Sequence, residues 1–354
     1  MRLLFACLCA ALLPAQGALS ACTTESPKNT APTRRADIVP ARASESASSE
    51  APSSTSSTSP APSTPPPQNT AKAPFSPDPK RYPWLAEGAL PKRRPNPSGA
   101  PEFFEPVASL GERISAPPAF TRVSVQSASF GEWLRSLPLA KSDSPVLTFR
   151  GDVLLPAGHE NVAAVVSIDI GSDDLQQCAD SVIRLHAEWK WAAGARDMSY
   201  KAAAGTAMPY ARWMQGERIV QEGNSIRWKP GSKPDPQGGD HASFRRYLDN
   251  VFTWANTGAL STQASKITLD QMRPGDFFIL PGSPGHVVLV LDMAQNEAGK
   301  KVVLLGQGFM PAQSFHVLRP SRSEIWFEID PKAGGVQTPF WPAPFPWDSL
   351  RRLD

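Results

Sequence analysis

Residues Asp276–Gln307 have the sequence DFFILPGSPGHVVLVLDMAQNEAGKKVVLLGQ, which alternates apolar segments with short turn-like segments. Three apolar segments, rich in valine, leucine and phenylalanine, predict strands at Phe277–Leu280, His286–Met293 and Lys300–Gln307. The more polar segment Ala294–Gly299 predicts a hairpin turn between the last two strands. We therefore expect an antiparallel sheet in which residues pair symmetrically about this turn.

Helices are predicted before this sheet in the chain. In residues 173–192 the apolar side chains recur at alternating spacings of three and four and form one continuous stripe: Leu175, Cys178, Val182, Leu185 and Trp189. Ser172 or Asp173 is expected to cap this helix. Other helices are predicted at residues 129–137, 207–218 and 241–256, and short strands at Thr121–Val125, Val146–Phe149 and Val162–Ile170. The pattern predicts an α+β fold with a mixed N-terminal extension.

The first 80 residues have a different composition. Residues 1–21 combine Arg2, a short apolar run and small residues, which is typical of an export signal. Between Thr23 and Lys80, 41 of 58 residues are Ser, Pro, Ala or Thr, so the segment cannot bury enough apolar surface to fold. We therefore expect residues 22–80 to be a disordered tether and residues 81–354 to be one globular domain, with its core at roughly 172–310.

The end of the leader, Leu19-Ser20-Ala21-Cys22, resembles the bacterial lipobox, which implies cleavage before Cys22 and lipidation of that cysteine. The alternative is ordinary signal cleavage, with Cys22 as a bystander. Under the first interpretation the protein is anchored in the bacterial cell envelope. Thr23, which is not Asp, then implies sorting to the outer membrane, with the domain facing the periplasm.

Charge and histidine spacing argue against several classes of function. Residues 81–354 contain 29 basic and 28 acidic residues, so nothing indicates nucleic-acid binding. The five histidines form no HxH or HxxxH pair, and there is no phosphate-binding glycine loop. We expect neither a metal nor a cofactor.

Cys178 is expected to be the only thiol of the mature domain, because Cys7 and Cys9 lie in the leader and Cys22 would be lipidated. A lone cysteine on an apolar helical stripe is either a small core residue or a nucleophile near a helix N-terminus. A nucleophile needs a base and a group that orients the base. His286 begins a strand after a glycine- and proline-rich loop, and the predicted hairpin places Gln307 opposite it. Cys178, His286 and Gln307 are thus the candidate catalytic residues.

Several motifs occur in an informative order: Gln177-Cys178, Pro274-Gly275-Asp276, Gly285-His286-Val287 and Gly306-Gln307. This order, over roughly residues 174–310, resembles the cysteine-histidine-dependent amidohydrolase/peptidase family. The resemblance implies a papain-like core, in which a helix bearing the cysteine packs on an antiparallel sheet bearing the histidine. One departure is Gly308, where that pattern leads us to expect an alcohol or another polar residue.

A second resemblance extends from residue 81 to the C-terminus. Its motifs are Phe130–Leu139, Asp174–Asp180, Arg245–Ala255, Pro284-Gly285-His286 and Met310–Gln313. They resemble the bacterial lipoprotein family called domain of unknown function 4846. That family name implies no established activity.

Two functions remain open at this point. The first is a cysteine amidohydrolase or peptidase that acts on cell-wall peptide amides, with the Cys178 N–H and either Gln177 or Gln176 binding the oxyanion. The second is a papain-like lipoprotein that binds an envelope partner, or has a structural role, without chemistry. Peptidoglycan peptides are the expected partners, in addition to the membrane reached through the lipid on Cys22.

Overall fold

The stretch 276–307 forms the centre of the largest sheet in the computed structural model. The structure describes residues 75–91, 98–223, 225–234 and 239–354, all within the compact unit Thr70–Asp354. The predicted signal peptide, Cys22 and the tether as far as residue 74 lie outside the described residues.

The described part of the chain contains short and medium helices and many short strands. The α-helices are α1 Leu110–Arg113, α2 Phe130–Arg135, α3 Cys178–Ala192, α4 Tyr210–Met214, α5 His241–Trp254 and α6 Thr257–Gln263. Short 3-10 helices lie at Pro83–Leu85, Leu269–Gln271, Pro331–Ala333 and Trp347–Ser349. The strands are β1 Ala108–Ser109, β2 Phe120–Arg122, β3 Pro138–Leu139, β4 Val146–Leu147, β5 Val153–Leu155, β6 Val162–Val165, β7 Ser199–Lys201, β8 Ala207–Pro209, β9 Glu217–Glu222, β10 Ser225–Pro230, β11 Ser265–Lys266, β12 Phe277–Leu280, β13 His286–Asn296, β14 Lys301–Gln307, β15 His316–Leu318, β16 Phe327–Ile329, β17 Gly335–Val336, β18 Phe345–Pro346 and β19 Leu350–Arg352.

The largest sheet has the order β11-β19-β12-β13-β14-β15-β6, with β16 paired to β14 and β2 paired to β13. Every ladder in it is antiparallel. Together with the helices this makes the protein an α+β protein, as the sequence predicts. Helix α3 packs against β13.

The predicted hairpin exists, but its register is wrong by two residues at the end that carries His286. The strands pair Leu289 with Gly306 and Val290 with Leu305, and a bulge follows before Asp292. Strand β13 continues to Asn296, so the turn lies later than the polar composition of residues 294–299 suggests. Because side chains alternate between faces with period two, an even slip leaves the residues at this end on their predicted face, whereas a one-residue slip would not.

Several helix boundaries also differ from the prediction. The helix expected at 207–218 is only α4, because Pro209 precedes it in an extended conformation and Gly216, with a φ of 84°, follows it. Helices α2 and α5 agree with the prediction, and their N-caps are Ser129 and Asp240. The mixed N-terminal strands are present but shorter than predicted.

The N-terminal extension is held to the sheet by a buried charge. Asp292 on β13 is fully buried and accepts hydrogen bonds from Arg135 on α2, at 2.6 and 3.0 Å, and from Arg122 on β2, at 2.6 Å. Trp84 adds a second attachment, because its indole N–H donates to the Ser167 carbonyl at 2.8 Å. Removing the Asp292 carboxylate would leave two guanidinium groups without their partner, so it couples the extension to the sheet.

Alternate residues of the central strands face two different apolar layers. Phe277, Val287 and Leu289 pack in the core cluster that contains α3. Phe278 and Val288 pack in a second cluster, which the C-terminal segment completes through Val336, Phe345 and Leu350. The sheet is therefore covered by helices on one face and by the end of the chain on the other.

Candidate active site

Helix α3 begins at Cys178, five residues later than the sequence predicts. Its N-cap is Gln177, whose backbone N–H donates to the Asp180 carboxylate at 3.2 Å, and neither Ser172 nor Asp173 caps it. The preceding residues are kept out of the helix by a tertiary contact, because the Asp174 carboxylate accepts from the Ala312 N–H at 2.6 Å. Cys178 is thus the first helical residue, next to N–H groups that have no partner within the helix.

The Cys178 thiol lies against the backbone on both sides of His286. Its Sγ is 3.9 Å from the Gly285 carbonyl oxygen, and the Val287 N–H is a second backbone contact of the sulfur. The ladder between β13 and β14 ends at the Leu289–Gly306 pair. The start of α3 therefore lies beside the first residues of β13, on the edge where β14 no longer pairs with β13.

The thiol is not ionised in this closed arrangement. Cys178 is 5% exposed, and burial raises the pKa of its thiol from 9.0 to about 12, with the charge of Asp180 acting in the same direction. The N–H groups of Ala179 and Val287 lower the pKa of the thiol but do not compensate. Burial also holds the pKa of the Asp180 carboxyl well above its usual range.

His286 and Gln307 are brought together as the sequence predicts, although not as directly opposed residues. The His286 Nε2 lies 2.7 Å from Gln307 Oε1. The paired register ends at Leu289–Gly306, and its continuation by two to three residues places the two side chains diagonally on one face, which long side chains can bridge. The His286 Nδ1 is buried and has no hydrogen-bond partner among the described residues.

A third polar side chain, His316 on β15, extends this pair. Its Cα is directly opposite that of Gln307. Its Nε2 is 3.4 Å from Gln307 Nε2, and its Nδ1 is 3.0 Å from the Ser314 carbonyl oxygen. His316 is not among the residues predicted from the sequence, where its only signal is a lone histidine nine residues after Gln307.

Aromatic side chains cover the His286 imidazole. The rings of Phe309 and Trp341 lie 4.6 and 5.0 Å from it, and Phe345 lies at 5.9 Å. His286 is completely buried, and this burial lowers the pKa of its imidazole to about 4. Thiol and imidazole are both neutral at pH 7 in this state.

A large cavity in the described part of the chain does not contain the pair. It has a volume of about 870 Å³ and lies beside the loop that leads into α3. Phe104, Phe149, Asp169 and Asp173 are among the residues that line it, whereas Cys178 and His286 are not. A substrate in this cavity would still have to reach the covered thiol.

Gly308 departs from the expected polar residue for a steric reason. A Cβ at this position would lie 2.2 Å from Ser181 Oγ and 3.2 Å from the Gln177 carbonyl oxygen. Ser181 Oγ itself donates to that carbonyl at 2.7 Å. The end of β14 thus packs directly on the first turn of α3, where only glycine fits without displacement.

The two glutamines before Cys178 have different environments. Gln176 is buried, and its Oε1 accepts from Arg184 at 2.9 Å and from Arg245 at 3.2 Å. Both arginines also pair with the buried Asp169. This ionic cluster holds the Gln176 amide in place. Gln177 is half-buried, and its side-chain NH₂ donates to the Asp174 carboxylate at 3.0 Å, so of the two glutamines it is the one whose amide can turn towards the thiol.

Within the described residues, no helix has both the length and the apolar character needed to cross a membrane. That same part of the chain contains no group of three or more His, Cys, Asp or Glu residues placed to hold a metal ion.

Comparison with curated proteins and with solved structures finds no match. A family model, described as domain of unknown function (4846), matches residues 110–352, and these residues include α3, the central sheet and all three candidate residues. The match covers more than half of the chain, and the chain therefore belongs to the family described as domain of unknown function (4846).

Proposed function

We propose that this domain is a papain-like cysteine hydrolase that cleaves amide bonds, with Cys178 as nucleophile, His286 as general base and Gln307 as the group that orients the imidazole. One observation carries the proposal. The His286 Nε2 is hydrogen-bonded to Gln307 Oε1 at 2.7 Å, and its Nδ1 is buried without a hydrogen-bond partner among the described residues. The Cys178 Sγ lies 3.9 Å from the carbonyl oxygen of Gly285, the residue before His286. A buried polar atom without a partner is costly, and such atoms are concentrated at functional sites.

The chemistry would proceed in two steps. In the described structure the thiol contacts the backbone beside His286 and Nδ1 has no hydrogen-bond partner, so the ring and the thiol must first come within hydrogen-bond reach. His286 Nδ1 then takes the proton of the Cys178 thiol as the sulfur attacks the amide carbonyl carbon, and the C–N bond breaks as the imidazolium returns that proton to the leaving amine. A thioester on Cys178 remains. Water, deprotonated by Nδ1, attacks this thioester, so that a carboxylic acid is released and the thiol is restored.

The start of α3 would stabilise the negative oxygen formed in each step. The backbone N–H of Cys178 is one of the N–H groups at the helix start that lack an intrahelical acceptor. The Gln177 side-chain amide is the second donor in this proposal, and it would exchange its bond to Asp174 for the oxyanion. Gln176 is not included because its amide is held in the ionic cluster.

The neutral resting pair sets a condition on this mechanism. With the thiol pKa at about 12 and the imidazole pKa at about 4, no thiolate–imidazolium pair is present beforehand. Proton transfer must therefore accompany the attack, or the aromatic cover over His286 must open first and admit water.

The proposed substrates are peptide amides of the bacterial cell wall, and the proposed location is the outer membrane, with a lipid on Cys22 and the domain facing the periplasm. The proposed location rests on the lipobox-like sequence and the Ser/Pro/Thr-rich tether. The proposed substrate class rests on these features together with the resemblance to the cysteine-histidine-dependent amidohydrolase/peptidase family.

The alternative function is a papain-like binding or structural lipoprotein. It is favoured by the burial of the thiol, which is only 5% exposed. Under this alternative Cys178 is a small core residue, and a cell-wall peptide that binds to the domain is released without being cleaved.

Digestion of purified muropeptides by the full chain, followed by mass spectrometry, separates the two functions. We expect cleavage of an amide bond that Cys178→Ala and His286→Ala both abolish. Cys22→Ser is the matched control, because it replaces a cysteine outside the proposed site and should leave cleavage of soluble substrates unchanged. Binding without cleavage, or cleavage that survives Cys178→Ala, would favour the alternative function or another nucleophile.

A further inference from the structure

We propose that His316 is a positioning residue that fixes the orientation of the Gln307 amide and thereby keeps Nδ1 of His286 unprotonated. The inference rests on the proposed function, since it explains how the base is held in its active form. It assigns a role to a histidine outside the predicted Cys178, His286 and Gln307 set.

The hydrogen-bond directions follow from one backbone group. The Ser314 carbonyl oxygen, 3.0 Å from His316 Nδ1, can only accept, so Nδ1 of His316 carries the proton. Burial lowers the pKa of His316 to about 4, so its ring is neutral at pH 7 and its Nε2 is an acceptor.

This acceptor decides how Gln307 is turned. The group that lies 3.4 Å from His316 Nε2 must be a donor, which is the Gln307 NH₂. The Gln307 carbonyl oxygen then faces His286 Nε2, at 2.7 Å, and requires a proton on that nitrogen. In a neutral His286 ring the lone pair is consequently on Nδ1, the nitrogen that has no partner among the described residues.

The reversed amide would disable the base. It would turn the Gln307 carbonyl towards the acceptor of His316 and its NH₂ towards His286, which would then carry its proton on Nδ1. His286, Gln307 and His316 are all buried, so water cannot easily substitute for the lost contacts. His316 is the group that distinguishes the two orientations, because an isolated glutamine amide offers His286 either end.

The test is the tautomer of His286, read from its ring ¹⁵N chemical shifts in the full chain at pH 7. We expect unprotonated Nδ1 in the wild type. His316→Phe keeps a ring but removes the acceptor, and we expect it to give a mixture or the opposite tautomer. In His316→Gln the new amide can offer Gln307 either its oxygen or its NH₂, and we expect it to restore the wild-type shifts in part. If the Phe variant does not fold, His316→Asn, whose side chain is too short to reach Gln307, provides the same test.

Kinetics on the cleaved muropeptide add a second readout. His316→Phe should lower kcat at least tenfold with little change in KM, and His316→Gln should recover part of the loss. A folded Phe or Asn variant with an unchanged His286 tautomer would overturn the role of His316. That result is distinct from failure of the proposed function, in which the wild type cleaves nothing while its tautomer remains measurable.

Discussion

Gly308→Ala should destabilise the protein through one defined contact. The new Cβ would lie 2.2 Å from Ser181 Oγ, far inside the 3.5–4.0 Å of normal contact, and 3.1 Å from Ser181 Cβ. The neighbouring Gln177 carbonyl is backbone and cannot turn away. Overpacking of this kind costs about 1–3 kcal/mol, and we expect about 2 kcal/mol here. The start of α3 should shift, and Cys178 with it.

Urea denaturation of the wild type, Gly308→Ala, Ser181→Ala and the double variant would measure this contact. Ser181→Ala removes the clashing oxygen, so the second substitution should recover about 1 kcal/mol or more of the loss in the double variant. Gly258→Ala is the matched control. It lies in α6, where a Cβ meets only the side-chain atom Asn256 Oδ1, at 3.3 Å, and it should cost clearly less than Gly308→Ala. Strictly additive effects at 308 and 181 would refute the steric explanation.

Three further predictions concern burial and charge. Trp341→Ala should raise the pKa of His286 from about 4 towards 6.5, because water then reaches the imidazole, and an NMR titration that stays near 4 would contradict this. The free energy of unfolding should fall as the pH drops from 6.5 towards 4, by about 1.4 kcal/mol per pH unit for each of His186, His286 and His316. The reason is that these histidines take up protons at a higher pH in the unfolded chain than in the folded protein. Urea denaturation that gives the same free energy across this pH range would contradict the prediction. Asp292→Asn should cost about 3 kcal/mol and speed proteolysis of the N-terminal extension, which a normal melting curve would disprove.

The fold class was accessible from the sequence because its central strands are long, apolar runs. Strand β12 was predicted to the residue, and α5 and α2 nearly so. The start of α3 was predicted five residues too early, because the apolar stripe includes Leu175. In the structure the contact between the Asp174 carboxylate and the Ala312 N–H keeps residues 173–177 out of the helix. That contact joins positions 138 residues apart, and no local pattern records it.

In the candidate site, too, contacts within one hairpin could be predicted from the sequence, whereas contacts between distant segments could not. The sequence predicted that His286 and Gln307 share a sheet face, and this holds despite the wrong register because faces repeat every two residues. His316 was missed, since its importance depends on a pairing with Gln307 across β14 and β15. The aromatic cover was missed because Trp341 lies outside the central sheet, in the C-terminal segment.

The catalytic role proposed for Cys178 must be reconciled with the burial of its thiol. A thiol at the first residue of a helix benefits from the unpaired N–H groups there, which by themselves favour the thiolate. Here burial outweighs that benefit and raises the pKa of the thiol from 9.0 to about 12, which leaves about a thousandfold less thiolate at pH 7. Burial acts in the opposite direction on the pKa of His286, so the two shifts together suppress the ion pair. Both pKa shifts depend on the exclusion of water. Movement of the Phe309 and Trp341 rings would admit water to the imidazole and so raise the pKa of His286 towards its usual value.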